Sequence, residues 1–124
     1  MSIMAIDVGL KRIGVALAVG QTVMPQTPVL RKNRNQAARD VSAVLREYGA
    51  KKLVVGVPLG GSSEDEMRRR IEHFVSLLEF DGEVVYQDEA MSSFEASEIY
   101  ADGRRDGRLD SVAAMIILKR YLGI

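Results

Sequence analysis

Residues 3–19 read IMAIDVGLKRIGVALAV, two apolar runs separated by a short polar turn. Short runs rich in Ile, Val and Leu and bounded by turn residues are typical of buried strands. The turn at residues 9–12 is too short for a crossover connection, so it predicts an antiparallel hairpin. The segment therefore predicts two paired strands, over residues 3–8 and 13–19, at the beginning of a sheet.

The rest of the chain alternates predicted strands and helices. The further strands are predicted at residues 27–30, 52–57 and 83–87, and the helices begin near residues 37, 63, 92 and 110. Ser63 with Glu66, and Ser92 with Glu95, match the capping pattern that opens many helices. The order β-β-β-α-β-α-β-α-α predicts an α/β fold with a mixed central sheet flanked by helices. We expect one domain over residues 1–124.

Composition excludes several classes of protein. The 124 residues are 47% hydrophobic and 27% charged, as in ordinary folded domains. The chain has no cysteine, which excludes disulfides, thiolate metal sites and cysteine nucleophiles. No apolar run approaches the roughly 20 residues of a membrane span, and the first residues do not resemble a signal peptide. We therefore expect a cytoplasmic protein with no membrane partner.

Charge is distributed unevenly although the net charge is zero. Residues 1–52 contain nine basic and three acidic residues, whereas residues 53–124 contain eight and fourteen. Such asymmetry can place a basic binding face beside an acidic site. Solvated helix surfaces are the alternative explanation, and the charges alone leave both open.

The sequence does not favour a histidine-based site, a serine nucleophile or a phosphate-binding loop. The single histidine, His73, lies within a predicted helix and has no second candidate ligand one turn away, which favours a helix-surface residue. No Gly-x-Ser-x-Gly segment is present for a serine nucleophile. Residues 9–14 imitate the glycine spacing of a P-loop, but Val15 and Ala16 stand where Lys and Ser or Thr are required.

Carboxylates remain as candidates for catalysis. Asp7 interrupts an apolar strand, Asp88 and Glu89 follow the strand at 83–87, and Asp110 begins the last helix. A charge within a sheet is costly unless it is paired or binds a metal, although Asp7 could instead bond the adjacent turn and Asp110 could serve as a helix cap. Acids converging from two strand ends and a helix start could hold Mg²⁺ or Mn²⁺. Two such ions about 4 Å apart promote phosphodiester hydrolysis.

Four segments carry a family resemblance. They are DVGLKRIGVA (7–16), VVGVPL (54–59), DEAMSSFEA (88–96) and the helix that begins DSVAA (110–114). In this order they resemble the motifs of the YqgF/RuvX proteins, which are described as Holliday junction resolvases and as pre-16S rRNA nucleases. The resemblance implies an RNase H-like fold, a cytoplasmic location and a metal-dependent nuclease activity. It places the acidic positions of the family on Asp7, the Asp88-Glu89 pair and Asp110.

The sequence departs from the family pattern at three places. Ala90 stands where the family usually has Arg, which removes a phosphate contact. Ser92 and Ser93 replace a Thr pair and keep its hydroxyl groups. Residues 60–63 read GGSS where the family usually carries Asn and then Asp-Gly.

These observations predict a site and a substrate class. The predicted catalytic residues are Asp7, Glu89 and Asp110, and the predicted metal ligands are Asp7, Asp88, Glu89 and Asp110, which would bind Mg²⁺ or Mn²⁺. The predicted nucleic-acid contacts are Lys11, Arg12, Arg68, Arg104 and Arg105. The expected substrate is precursor 16S rRNA, with branched DNA as the alternative, and the chain would act as a monomer or homodimer. A non-catalytic nucleic-acid-binding protein is the hypothesis from a different class.

Overall fold

The computed structural model describes residues 2–58, 62–89 and 108–124, without the side chains of residues 62–64 and 108–110. The strands are β1 (Ser2–Val8), β2 (Arg12–Val19), β3 (Thr22–Leu30), β4 (Ala50–Val57) and β5 (Glu83–Asp88). The helices in the described ranges are α1 (Arg34–Glu47), α2 (Ser62–Ser76) and α3 (Arg108–Leu122). The helix predicted to begin at Ser92 lies outside the described residues.

The five strands form one mixed sheet in the order β3-β2-β1-β4-β5. Strands β1 and β2 pair antiparallel, as predicted from the short turn at residues 9–12. Strands β2 and β3 also pair antiparallel, and β1, β4 and β5 pair parallel. The mixed sheet predicted from the sequence is therefore confirmed. Because β1, β4 and β5 run in the same direction, their carboxyl ends meet at one edge, where ligands commonly bind in open α/β sheets.

The helices cover opposite faces of this sheet. Met4 and Ile6 of β1 belong to a buried cluster that includes residues of α1 and α2. Ala5 belongs to a second cluster with Ala114 and Ile117 of α3. Because successive side chains of a strand point to opposite faces, Asp7 projects from the face that α3 covers.

Two element boundaries differ from the prediction. Strand β3 begins at Thr22 rather than at residue 27 and contains Pro25 and Pro28. It pairs only with β2 at the edge of the sheet, where a missing backbone donor is tolerated. Helix α1 begins near residue 34 because Asn33 caps it, accepting from the backbone amide of Gln36.

None of the helices in the described part of the chain has the length and apolar character needed to cross a membrane.

Candidate functional site

Asp7 lies between two glycines at the carboxyl edge of the sheet. Gly14 of β2 is its direct partner in the antiparallel pair. In the parallel pair, Ile6 is in register with Val55, which places Asp7 beside Gly56 of β4. Residues in register on neighbouring strands project from the same face, so both neighbours of this half-buried carboxylate lack side chains there. Neither direct cross-strand neighbour of Asp7 therefore places a side chain beside it on this face.

Glu89 lies on the β5 side of Gly56, whereas Asp7 lies on its β1 side. Its backbone amide donates to the carbonyl of Val57 at 3.0 Å, which extends the pairing of β5 with β4 by one residue. Its Oε2 atom lies 3.2 Å from the point that a Cβ of Gly56 would occupy. The structure therefore brings Asp7 and Glu89 to one face of the sheet, on either side of a residue without a side chain.

Asp88 and Glu89 are separated by the pleat of the sheet. Asp88 is in register with Val57, whose side chain belongs to the cluster that packs under α1 and α2. Asp88 therefore projects from the face opposite to α3. Adjacent acids in the sequence thus have different surroundings, and Glu89 is the one placed with Asp7.

The beginning of α3 is attached to β2 close to these acids. The backbone amide of Val15 donates to the Ser111 hydroxyl at 3.3 Å, and Ser111 is fully buried. The pairing of β2 with β3 shifts register between Ile13 and Val15, so this amide lies at an irregular point of the ladder. Asp110 precedes Ser111 in the first turn of α3, but its side chain lies outside the description. Sequence reasoning missed Ser111, for which the only signal was its position after Asp110.

The predicted metal site is described only in part. Among the residues whose side chains are described, no group of three or more His, Cys, Asp or Glu is close enough to hold an ion. Asp7 and Glu89 are brought together, Asp88 lies on the other face, and the side chain of Asp110 is not among those residues. The full set of ligands therefore stays a prediction.

The hairpin turn presents Lys11 and Arg12 at the same edge. The amide of Gly9 donates to the Arg12 carbonyl at 3.0 Å, and a Cβ at Gly9 would lie only 2.5 Å from that oxygen, so this turn requires glycine. Arg31, which directly follows β3, holds the turn: its amide donates to the Lys11 carbonyl at 2.9 Å and its Nη1 to the Gly9 carbonyl at 3.0 Å. Lys11 is exposed and Arg12 is half-buried.

The other predicted basic contacts have different outcomes. Arg68 pairs with Asp65 of its own helix, Nη2 to Oδ1 at 3.2 Å. Arg104 and Arg105 lie outside the described residues. His73 is an exposed residue of α2, as predicted. Sequence reasoning missed Arg31, although the basic segment RKNR at 31–34 immediately before α1 was a signal.

Comparisons with known proteins extend over the whole chain. The family model described as "RuvX: Holliday junction resolvase" matches residues 1–123. A protein of Sulfurovum sp. named "Putative pre-16S rRNA nuclease" is 59% identical over 100% of both chains. A protein of Campylobacter lari with the same name is 54% identical over 100% of this chain and 99% of its own.

Solved structures of low sequence identity have the same fold. RuvC of T. thermophilus in complex with a Holliday junction superposes with a TM-score of 0.59 at 13% identity, covering 99% of this chain and 96% of its own. The fowlpox virus Holliday junction resolvase superposes with a TM-score of 0.59 at 15% identity, covering 99% of each chain. These similarities confirm the predicted RNase H-like fold. The family model and the full-length relatives show that the chain belongs to the RuvX family.

Proposed function

We propose that this protein is a metal-dependent endonuclease that cleaves phosphodiester bonds in precursor 16S rRNA during ribosome biogenesis in the cytoplasm. The observation that carries the proposal is the position of Asp7 and Glu89 on one face of the sheet, on either side of Gly56. Membership of the RuvX family and the names of the full-length relatives support a nuclease that acts on ribosomal RNA precursors.

The donor set at this edge suits a hard divalent cation. Asp7 and Glu89 offer carboxylate oxygens, the ligands that Mg²⁺ and Mn²⁺ prefer. We assign Asp7, Glu89 and Asp110 as the residues that would hold the ion, and we favour Glu89 over Asp88 because of the face from which each projects. When bound, the ion would polarise water and offset the charge of the phosphodiester.

Neighbouring residues of the sheet and of α3 support the proposed site. Because Gly56 has no side chain, Ile117 of α3 and Glu89 can pack over the sheet beside Asp7. The bond between Val15 and Ser111 fixes the beginning of α3, the helix that carries Asp110. A site whose supports are rigid secondary structure holds its groups more accurately than a loop does.

Replacing Asp7 tests the assignment. We expect Asp7→Asn to reduce cleavage of precursor rRNA more than about 100-fold, since even an outer-shell partner of a metal ligand commonly contributes 10–100-fold. The fold should stay intact or become slightly more stable, because one of two neighbouring negative charges is removed. Turnover and melting temperature measured on the same preparation check both parts. Asp7→Asn that cleaves at the parental rate would contradict the site.

Asp88, the last residue of β5, and Glu89, which follows it, provide a matched pair of variants. Glu89→Gln should reduce cleavage strongly, whereas Asp88→Asn should have a smaller effect because Asp88 projects from the opposite face. Equal losses of cleavage activity in the two variants would show that the face from which a carboxylate projects does not determine which of the two acts at the site.

Holliday junction cleavage is the second candidate function, favoured by the description of the family model. Resolution requires two symmetric cuts and therefore a two-fold dimer. Labelled precursor rRNA and a four-way DNA junction should be compared side by side with Mn²⁺ and with EDTA. We expect metal-dependent cleavage of the RNA; cleavage of the junction alone would reverse the assignment.

A further inference from the structure

A cleft lies on the α1 and α2 side of the sheet, next to the hairpin turn. Its volume is about 340 Å³, and it is lined by Val8, Gly9, Leu10, Arg31, Arg34, Met67, Arg70 and Ile71. Three of these residues are arginines, and no carboxylate occurs among the lining residues that the structure describes. Val8 and Gly9 directly follow Asp7, so the cleft begins at the edge where the acids lie, on the other face.

The three arginines of the cleft differ in their contacts and in their exposure to solvent. Arg31 is held in place, because its guanidinium donates to the Gly9 carbonyl and lies 5.7 Å from the centre of the Phe74 ring. Arg70 pairs with Glu66 at 2.9 Å, but the two side chains are 64% and 63% exposed. Such exposed pairs contribute little, so a phosphate can compete with Glu66 for the guanidinium. Arg34 is exposed at the beginning of α1. Arg34 and Arg70 are therefore suited to receive an anion, while Arg31 maintains the shape.

The same cleft exposes apolar side chains. Leu10 is 80% exposed at the tip of the hairpin and Met67 is 52% exposed on α2. Val8 and Ile71 continue the apolar lining, and Ile71 is almost fully buried. An apolar surface beside cationic groups complements a nucleotide whose base is unpaired, since the base covers the apolar part and the phosphate meets the guanidinium groups. A paired base in a duplex does not offer its face in this way.

We propose that this cleft binds one unpaired nucleotide of the RNA strand next to the cleaved phosphodiester. Arg34 and Arg70 contact the phosphate, and Leu10 and Met67 contact the base. The strand crosses the sheet edge at the tip of β1, where adjacent residues 7 and 8 serve the acid site and the cleft from opposite faces. The inference rests on the proposed nuclease function and assigns the kind of strand that it accepts.

Binding without cleavage tests the cleft separately from the nuclease. A fluorescent single-stranded RNA of about ten nucleotides, within the range of single-strand sites, is titrated in EDTA and followed by anisotropy. Arg34→Gln and Arg70→Gln should each weaken binding about 10-fold and reduce the slope against log salt by about one. Arg39→Gln on α1 and Arg69→Gln on α2 are the matched controls, because both residues are exposed and neither lines the cleft.

The apolar lining of the cleft is tested by a variant of Leu10 and by comparing single-stranded with duplex RNA. Leu10→Ser should weaken binding of the single strand without lowering the melting temperature, because Leu10 is exposed. A duplex of the same sequence should bind more weakly than the single strand and should not respond to Leu10→Ser. The proposal is overturned if Arg34→Gln and Arg70→Gln bind like their controls, or if the duplex binds as tightly as the single strand.

The two proposals fail in different ways. If the parent protein cleaves nothing in Mn²⁺ but the cleft variants still lose binding in EDTA, the nuclease assignment is wrong and the cleft is supported. If cleavage depends on Asp7 while the cleft variants bind normally, the nuclease assignment stands and the cleft is refuted.

Discussion

Gly56 is the residue that allows Asp7 and Glu89 to occupy one face together. A Cβ at this position would lie 2.5 Å from Cδ1 of Ile117 and 3.2 Å from both Cβ and Oε2 of Glu89. The first contact involves the end of a buried side chain that packs α3 on the sheet. The second involves the carboxylate itself. A side chain at Gly56 would therefore affect packing and the site through two separable contacts.

A pair of variants separates these contacts. Gly56→Ala should destabilise the protein by about 1–3 kcal/mol through overpacking and should also reduce cleavage strongly. The double variant Gly56→Ala with Ile117→Val removes the Cδ1 atom, so the melting temperature should recover while cleavage stays low. Thermal melting and turnover on both variants check this. Recovery of cleavage together with stability would mean that Gly56 serves only packing.

At the scale of elements, the junction of β2 with α3 connects stability to the site. Ser111 is fully buried and accepts from the Val15 amide in the strand next to Asp7. Ser42 is buried to a similar degree on α1, where its hydroxyl donates to the Ala38 carbonyl at 2.7 Å. The two serines have comparable environments, but only Ser111 lies beside the site.

Ser111→Ala should therefore have an effect that Ser42→Ala does not. Each substitution should cost about 1–3 kcal/mol of stability, because a buried backbone group or hydrogen bond loses its partner. Only Ser111→Ala should also reduce cleavage, since it loosens the start of the helix that carries Asp110. Urea unfolding and turnover are measured for both. Equal cleavage by the two variants would show that the bond between Val15 and Ser111 has no role in the site.

The carboxyl end of α3 is attached to β4 by a hydrogen bond between Lys52 and Tyr121, and the contribution of this bond to stability depends on pH. Lys52 of β4 donates from Nζ to the Tyr121 hydroxyl at 2.9 Å and lies 3.9 Å from Glu83. The hydrogen bond to Tyr121 is the main cause that raises the pKa of Lys52, and Glu83 adds to it against the effect of burial. The folded protein thus holds this proton more tightly than the unfolded chain does. The contribution to stability is complete below about pH 10 and decreases as pH rises through the raised pKa.

Tyr121→Phe should remove this contribution. The variant should melt at a lower temperature than the parent at neutral pH, and the difference should shrink above about pH 10. Tyr48→Phe is the control, because the Tyr48 hydroxyl donates to the Gln26 amide oxygen at 3.0 Å, which is an uncharged partner. Melting curves over alkaline pH check the prediction. A constant difference between Tyr121→Phe and the parent at every pH would contradict it.

Much of the fold could be predicted because each central strand is a continuous apolar run. Strands β1, β2 and β4 begin and end within about two residues of the prediction, since burial on both faces requires such runs. Strand β5 matches within one residue, although it comes last in the strand order and its residues are only half-buried or exposed. The first half of β3 could not be predicted in this way, because an edge strand buries few side chains and contains two prolines. Propensity and burial both disfavour a strand there, and pairing with β2 overrides them.

At the scale of the whole molecule, the sequence offered Asp7, Asp88, Glu89 and Asp110 as candidate acids but not the faces from which they project. Asp7 and Glu89 become neighbours only through the register of three strands, which no local pattern contains. For the same reason the sequence leaves both Asp88 and Glu89 as predicted metal ligands, although only Glu89 is predicted to be catalytic. The cleft with Arg31, Arg34 and Arg70 also could not be predicted, because it gathers side chains from the segment after β3, from α1 and from α2.

Stabilisation of the whole folded molecule by a bound ion distinguishes a metal-dependent enzyme from a non-catalytic nucleic-acid-binding protein. An ion that binds only the folded state stabilises it, by about 2.7 kcal/mol at a concentration 100 times its dissociation constant. We therefore expect Mn²⁺ to raise the melting temperature of the parent and of Asp88→Asn, but to have little effect on Asp7→Asn and Glu89→Gln. Calorimetric scans with and without Mn²⁺ check this in the absence of any RNA. If the parent does not respond while it still binds single-stranded RNA, the acids do not form a metal site and the chain acts by binding alone.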